Sequence, residues 1–334
     1  MQLSFDELLA PGYRRKFITT SSGKRREIFV PNDAMREVHQ TLLRDLRRHS
    51  AQPEFGRVYS RRSPIANAAA HAGNRFVYKV DLFNAFPSVK LNWLIPILAD
   101  AKSSLWMGAE GLEEFLKAHA LQPSGTGLMV GMPSSPDLFD RVVSERLDRV
   151  LNEIALNSGL TYTRYLDDMV FSSWKPIGER RKSRIRKAIK DGGFRISFSK
   201  TGTFDIRTRP VLITRVRLGI VRPDLDQMIH WADFARDGIF LPRRWLNRLS
   251  GALHAYSQGA DVSVSQIEGM MGALREYHQY TIGHYPAIQR VWRKYMQLRS
   301  QLRPGASLDG ADDYWQTHFS RGDALAEHAL FNRY

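Results

Sequence analysis

A chain of 334 residues, 43% hydrophobic and 25% charged, is long enough to bury a large core and to form more than one lobe. Its formal net charge of +15 favours a polyanionic partner, of which nucleic acid is the commonest soluble one. The lack of cysteine excludes disulfides, thiolate zinc sites and cysteine catalysis, no apolar run approaches the roughly 20 residues that span a bilayer, and Met1–Glu7 lacks the pattern of a signal peptide, so a reducing cytoplasm is expected.

In chain order, residues 24–31 read as a basic strand stopped by Pro31. A helix follows with Met35, Val38, Leu42 and Leu46 on one face. Residues 56–71 read as a loop with basic spots at Arg57, Arg61 and Arg62. Residues 76–82 form a strand, and two helices fill 91–120. After a turn at Gly131–Ser134, Ser135 suits an N-cap with Pro136 at the first helical position. The helix beyond carries an apolar stripe of Leu138, Val142, Leu147, Val150, Leu151 and Ile154. Residues 162–173 read as a hairpin, 179–190 as a basic helix ended by Gly192-Gly193, and 194–199 and 211–221 as strands. The remainder is mostly helical. One helix opens at Pro242, and a capping box of Ser263 and Gln266 starts another that bears Ile267, Met270, Leu274 and Tyr277. The tail from about residue 302 is less patterned.

The hairpin carries the chemistry. Asp167 and Asp168 sit at its tip, between two β-branched and aromatic runs. Asp is depleted in strands and adjacent carboxylates repel, so this placement costs stability unless a cation offsets it. Mg²⁺ takes hard carboxylate oxygens. Asp81 closes the apolar run Phe76–Val80 in a similar setting. Two strands presenting three Asp at neighbouring tips would make a two-metal phosphoryl-transfer site. The plain alternative is a polar turn.

Six segments in order then resemble a reverse transcriptase of the bacterial retron type, over roughly residues 20–285. Lys24–Pro31 resembles the first fingers motif, and Ser63–His71 the Asn-Ala-x-x-His element with Asn67 and His71. Val80–Ser88 resembles palm motif A, Gly131–Pro136 motif B, Tyr165–Asp168 motif C, and Gly193–Thr201 motif D. The resemblance implies an α+β, right-hand polymerase fold, with fingers at 1–75, a palm at 76–228 (finger and palm helices about 91–120), a helical thumb at 229–300 and a C-terminal tail at 301–334.

It also implies roles. Asp81, Leu82, Asp167 and Asp168 form the metal set for two Mg²⁺ ions, with Mn²⁺ as the substitute ion. Asp81 and Asp167 are the main ligands and Asp168 the weaker one. Arg26, with Lys24 or Arg25, holds the triphosphate; the alternative is a solvated strand edge. Phe86 stands at the steric-gate position under the sugar, or is a core phenylalanine. Gly131 and Pro133 border the substrate. Lys200 protonates the leaving pyrophosphate, or serves solubility only. Asn67 and His71 order their loop or touch RNA. Arg61, Arg62, Arg180, Arg181 and Arg184 contact phosphates, or belong to a solvated face.

Two positions depart from the family pattern. Val130 stands where motif B has Gln, and Val216–Ile220 keeps only Gly219 of the Val-Thr-Gly element. An antiphage, defence-associated or abortive-infection enzyme is therefore as good a home as a retron. The implied partners are a noncoding RNA template, a DNA product, dNTPs, and an effector protein or a second polymerase subunit, with homo-oligomers as an option. Template-independent or template-restricted synthesis, or a silent RNA-binding scaffold, are the alternatives to RNA-templated DNA synthesis.

Overall fold

Antiparallel pairing dominates the computed structural model, which describes residues 12–19, 23, 25–49, 63–99, 101, 103–221, 236–279 and 286–302. Lys24, Arg61 and Arg62, and with them the basic spots at 57–62, lie outside the described residues. The described residues fall into two compact units, one drawn from Met1–Ser63 and Asn74–Asp205, the other from Pro64–Gly73 and Ile206–Tyr334.

The first unit begins with a ribbon that the sequence pattern showed only in part. Tyr13–Thr19 (β1) pairs with Arg25–Pro31 (β2), and nearly all of β1 is exposed. The helix α1 (Asp33–His49) then buries Met35, Val38, Leu42 and Leu46, the stripe expected from the 3.6-residue period.

Next comes a four-stranded sheet of Phe76–Asp81 (β3), Thr161–Tyr165 (β4), Asp168–Ser173 (β5) and Gly202–Asp205 (β6), in the order β4-β5-β3-β6. The inner strands are buried on both faces, which explains their apolar runs. Side chains fasten the end of the sheet away from Asp81. Asn74 Nδ2 donates to Thr161 Oγ1 (3.1 Å) and Ser172 Oγ (2.9 Å), and the Arg75 guanidinium grips both oxygens of Asp205.

The expected strand at 194–199 is not one. Only an isolated bridge joins Ile196 to Leu82, and the chain turns at Ser197–Thr201 before pairing as β6. The pairing is confined to that bridge, made by Ser197 N to Asp81 O and Phe83 N to Arg195 O, because the turn bonds from Lys200 N and Thr201 N to Ser197 O end it, and Phe198 is left 75% exposed.

The helix after motif B starts one residue earlier than expected. Ser134 is the cap, and Ser135 Oγ donates to Met129 O (2.7 Å) instead of capping. The helix runs from Ser135 to Val143 and relaxes into a π turn at Ser144–Asp148 before continuing over Arg149–Leu156. That turn rotates the stripe, so Val150, expected in the core, is 48% exposed. The basic helix spans Glu179–Asp191. It ends in a Schellman turn, with Phe194 N bonding Ile189 O (3.1 Å) and Gly193 N bonding Lys190 O (2.9 Å). Gly193 there has φ 89°, and a Cβ would meet the Trp93 ring at 2.8 Å.

In the second unit, residues 64–69 are helical where a loop was expected. Pro64 starts the helix, and Ile65, Asn67 and Ala68 are buried. The run 211–221 is two strands, Val211–Ile213 and Val216–Val221, joined by Thr214 and Arg215 at φ 46° and 71°. The turn lacks the usual Gly or Asn signal, so the pattern read as one strand. Arg236–Phe240 adds a third strand. The helices Arg243–Ser257, Val264–Gln279 and Pro286–Leu302 follow. Gln266 N bonds Ser263 Oγ (3.3 Å), half of the expected capping box. No helix among the described residues is long and apolar enough to cross a membrane.

Candidate active site

Strand register brings the carboxylates together. Asp81 closes β3, Asp168 opens β5, and the two are direct partners in the ladder, so their side chains leave the same face. Asp168 also faces Tyr165 across the two-residue turn Leu166-Asp167. Leu166 has φ 57°, which costs a non-glycine residue roughly 1–2 kcal/mol. Neighbouring backbone locks the tip. Leu82 N donates to Asp167 O (3.3 Å), Ser197 N to Asp81 O (2.8 Å) and Phe83 N to Arg195 O (2.8 Å).

Two lysines neutralise two of the carboxylates. Lys200 Nζ reaches Asp81 Oδ1 and Oδ2 at 2.9 and 3.1 Å, and Lys79 Nζ reaches Asp168 Oδ2 at 2.9 Å. Burial, and then the Asp81 carboxylate, push the Asp167 carboxyl above its ordinary range, against the pull of Lys200 and Arg26. Donors that are all carboxylate oxygens suit a hard divalent cation. Among the described residues no three such side chains already form a metal cage. Lys200 is 53% exposed and can release Asp81 to open one.

A buried ionic cluster supports the hairpin from behind, and nothing in the sequence pattern announced it. Arg164, on β4, is 2% exposed. It donates to Asp140 Oδ1 (2.7 Å), to both oxygens of Asp148 (2.7–3.0 Å) and to Leu166 O (3.0 Å), which pins the strained turn residue. Tyr162 OH adds a bond to Asp148 Oδ1 (2.6 Å). Burial alone would lower the pKa of the guanidinium; Asp148 and its hydrogen bonds outweigh that and hold it above the ordinary value.

Of the other candidate site residues, Arg26 is the one that acts electrostatically on Asp167 at this tip. Arg25 and Arg26 are on β2, with the Arg25 guanidinium 4.0 Å from the centre of the Phe17 ring. Phe86 is half-buried and stacks on Phe139 at 4.7 Å and 18°. Gly131 has φ 110°, and a Cβ would meet Phe29 O at 2.5 Å, so only glycine lets the motif B turn approach β2. Phe29 N bonds Val130 O (2.8 Å), a contact that Val and Gln make equally well, because it uses only the main chain. Pro133 is half-buried in the same turn. On the basic helix, Glu179 pairs with Lys182 and Arg186, and Asp191 with Lys187, so acids compensate part of that charge. Arg180 and Arg184 are exposed and Arg181 is half-buried. Asn67 and His71, in the second unit, are fully buried, Asn67 within the helix of residues 64–69.

Behind motif B, His39 Nδ1 lies 2.7 Å from Ser134 Oγ, and His119 Nδ1 lies 3.3 Å from Met35 Sδ. Burial lowers both histidine pKa values to about 4, with mutual repulsion adding to the effect on His39. A base depressed in this way contributes stability above its unfolded pKa of 6.5 and loses it as pH falls towards 4. The expected loss is about 2 kcal/mol per histidine between neutral pH and pH 5. Denaturant melts across that window check it, and His39→Gln with His119→Gln should flatten the slope.

Fold and site together define a right-hand polymerase, α+β in class, with paired carboxylates at a hairpin tip. The family described as reverse transcriptase (RNA-dependent DNA polymerase) matches residues 16–215, and the chain belongs to that family. Its relatives are of the bacterial retron type. It is 30% identical over 286 residues to the retron Mx162 reverse transcriptase of Myxococcus xanthus, covering 76% of this chain and 55% of that protein. It is 29% identical over 204 residues to the retron Mx65 enzyme of the same organism (56% and 48% covered). It is 21% identical over 276 residues to the retron Ec86 enzyme of Escherichia coli (81% and 79% covered). The chain thus spans about half the length of the two Myxococcus relatives. Apo telomerase from Candida tropicalis gives a TM-score of 0.44 at 12% identity over 93% of this chain and 61% of that one, too slight a likeness to argue from.

Proposed function

We propose that this chain is an RNA-directed DNA polymerase that copies a dedicated noncoding RNA and serves in antiphage defence. The reading rests above all on Asp81 and Asp168 as ladder partners beside Asp167, inside the region that matches the family. In it, residues 1–75 are fingers, 76–228 palm, 229–300 thumb and 301–334 a tail. Two Mg²⁺ ions, or Mn²⁺ in their place, would activate the primer 3′-hydroxyl and neutralise the triphosphate.

The chain's own groups do the rest. Asp81 and Asp167 are the principal ligands and Asp168 the lesser one. Leu82, whose side chain is buried in the core, can offer only its main-chain oxygen. Arg26, helped by Lys24 or Arg25, grips the triphosphate, since guanidinium suits bidentate phosphate contact. Gly131 and Pro133 shape the nucleotide side of the site. Lys200, once it leaves Asp81, donates a proton to the departing pyrophosphate. The test is Mg²⁺-dependent incorporation of each labelled dNTP into nucleic acid that co-purifies with the protein, followed by sequencing of that material. Incorporation without a divalent ion, or bound nucleic acid lacking an RNA–DNA product, would overturn the reading.

Phe86 should set sugar choice. Its ring rests on Phe139, so one face is fixed while the other can meet the ribose. Phe86→Val is expected to raise ribonucleotide use relative to deoxynucleotide use by roughly tenfold or more. Paired incorporation assays with dNTPs and rNTPs measure it, and an unmoved ratio would mark Phe86 as a packing residue alone.

Arg180, Arg181 and Arg184 should hold phosphates. Changing all three to Gln should shrink the slope of log affinity against log salt by about 0.7–0.9 for each phosphate that is no longer neutralised. Filter binding of the co-purified RNA over a salt series reads this directly. An unaltered slope would make the helix a solvated face.

A further inference from the structure

We propose that Lys79 is a positioning residue of the site: it is a built-in counter-cation that commits Asp168 to itself and leaves Asp81 and Asp167 to the divalent ion. The inference deepens the metal reading above and rests on it. Lys79 lies two residues before Asp81 on β3, so both side chains leave the same face. Its ladder partner on β5 is Val170, which makes Asp168 its diagonal neighbour, within reach of a long side chain. Its partner on β6 is Gly202, which has no side chain to compete for that face.

The resulting bond, Lys79 Nζ to Asp168 Oδ2 at 2.9 Å, is largely enclosed, with the two side chains 20% and 16% exposed. The other lysine is different. Lys200 holds Asp81 from a side chain 53% exposed, and water can solvate it when it leaves. Of the two ammonium groups, Lys200 is therefore the displaceable one and Lys79 the permanent one. This asymmetry has a consequence for metal binding. Asp81 and Asp168 are opposed in the ladder with Asp167 beside them, and like charges directly opposite one another destabilise a sheet. Lys79 removes that repulsion before any ion arrives. It also lowers the negative potential that the ion sees, so the site binds its ion more weakly and holds Asp168 in one orientation.

The test compares wild type with Lys79→Met and Lys79→Arg, read by melting temperature in EDTA, by the shift on adding Ca²⁺ or Mg²⁺, and by Mn²⁺ titration followed by electron paramagnetic resonance. Lys79→Met should melt lower in EDTA by roughly 5 °C. Its divalent-induced shift should be larger than that of wild type, and its Mn²⁺ affinity about tenfold tighter. Lys79→Arg should restore wild-type behaviour on all three. A merely structural lysine would lower the melting temperature without tightening Mn²⁺ binding, and that result overturns the proposal. If Lys79→Met fails to fold, Lys79→Met with Asp168→Asn removes both charges and should fold. Failure of the double variant as well would show that Lys79 serves packing, and would also overturn the proposal. Wild type with no divalent-induced shift would overturn the metal reading itself, whereas a wild-type shift that Lys79→Met leaves unchanged would overturn only the role of Lys79.

Discussion

Asp167→Asn is expected to cut nucleotide incorporation by about 10³-fold or more, because a principal metal ligand is lost, and at the same time to raise the melting temperature of the metal-free protein. The second effect distinguishes a functional carboxylate from a structural one. Burial and the Asp81 carboxylate raise the folded-state pKa of Asp167. An acid raised in this way weakens the fold wherever it is charged. The penalty is present above the folded pKa and disappears as pH falls through the window down to the unfolded value. The amide has no charge to lose, so the variant escapes the penalty at neutral pH. Thermal melts in EDTA against pH should show wild type gaining stability on acidification relative to Asp167→Asn. This gain runs opposite in sign to the loss expected from His39 and His119, and subtracting the two proteins' curves isolates it. A variant that polymerises normally, or that melts lower than wild type in EDTA, would contradict the role given to Asp167.

Arg164→Met is expected to be the most destabilising single change in the first unit. It leaves Asp140 and Asp148, both fully buried, without the guanidinium that neutralises them. Breaking a buried ion pair on one side only costs about 3–5 kcal/mol. It also frees Leu166 O, and with it the turn that carries Asp167. Incorporation should therefore fall further than the loss of folded protein accounts for. Urea unfolding gives the stability term, and activity per folded molecule gives the other. Adding Asp140→Asn and Asp148→Asn should recover much of the stability, since neutral groups of the same shape can share the cavity. If Arg164→Met is tolerated within about 1 kcal/mol, the cluster is not the support assigned to it.

Much of the first unit was legible because its signals are local. The 3.6-residue stripe of Met35, Val38, Leu42 and Leu46 marked a helix, and the apolar runs either side of Asp167-Asp168 marked a hairpin. Lys79 could have been found the same way, since strand alternation alone puts it on the face of Asp81. Where local signals misled, a specific competitor prevailed. At 194–199 a turn closed on Ser197 O cut the pairing short after one bridge. At Thr214-Arg215 the chain reversed without glycine. At 64–69 proline opened a short helix in a segment that reads as loop.

By itself the sequence determined that three carboxylates sit at or beside strand ends and that Gly192-Gly193 ends the basic helix. These follow from residue type and period, which act over a few positions. Only the tertiary structure decided which carboxylate each lysine neutralises, that Asp140, Arg164 and Asp148 form one buried cluster under the hairpin, and that His39 and His119 are buried close enough to repel each other behind motif B. The bonds in question join residues 16 to 119 positions apart in the chain, and their energies depend on burial and distance, which exist only once the strands have found their register.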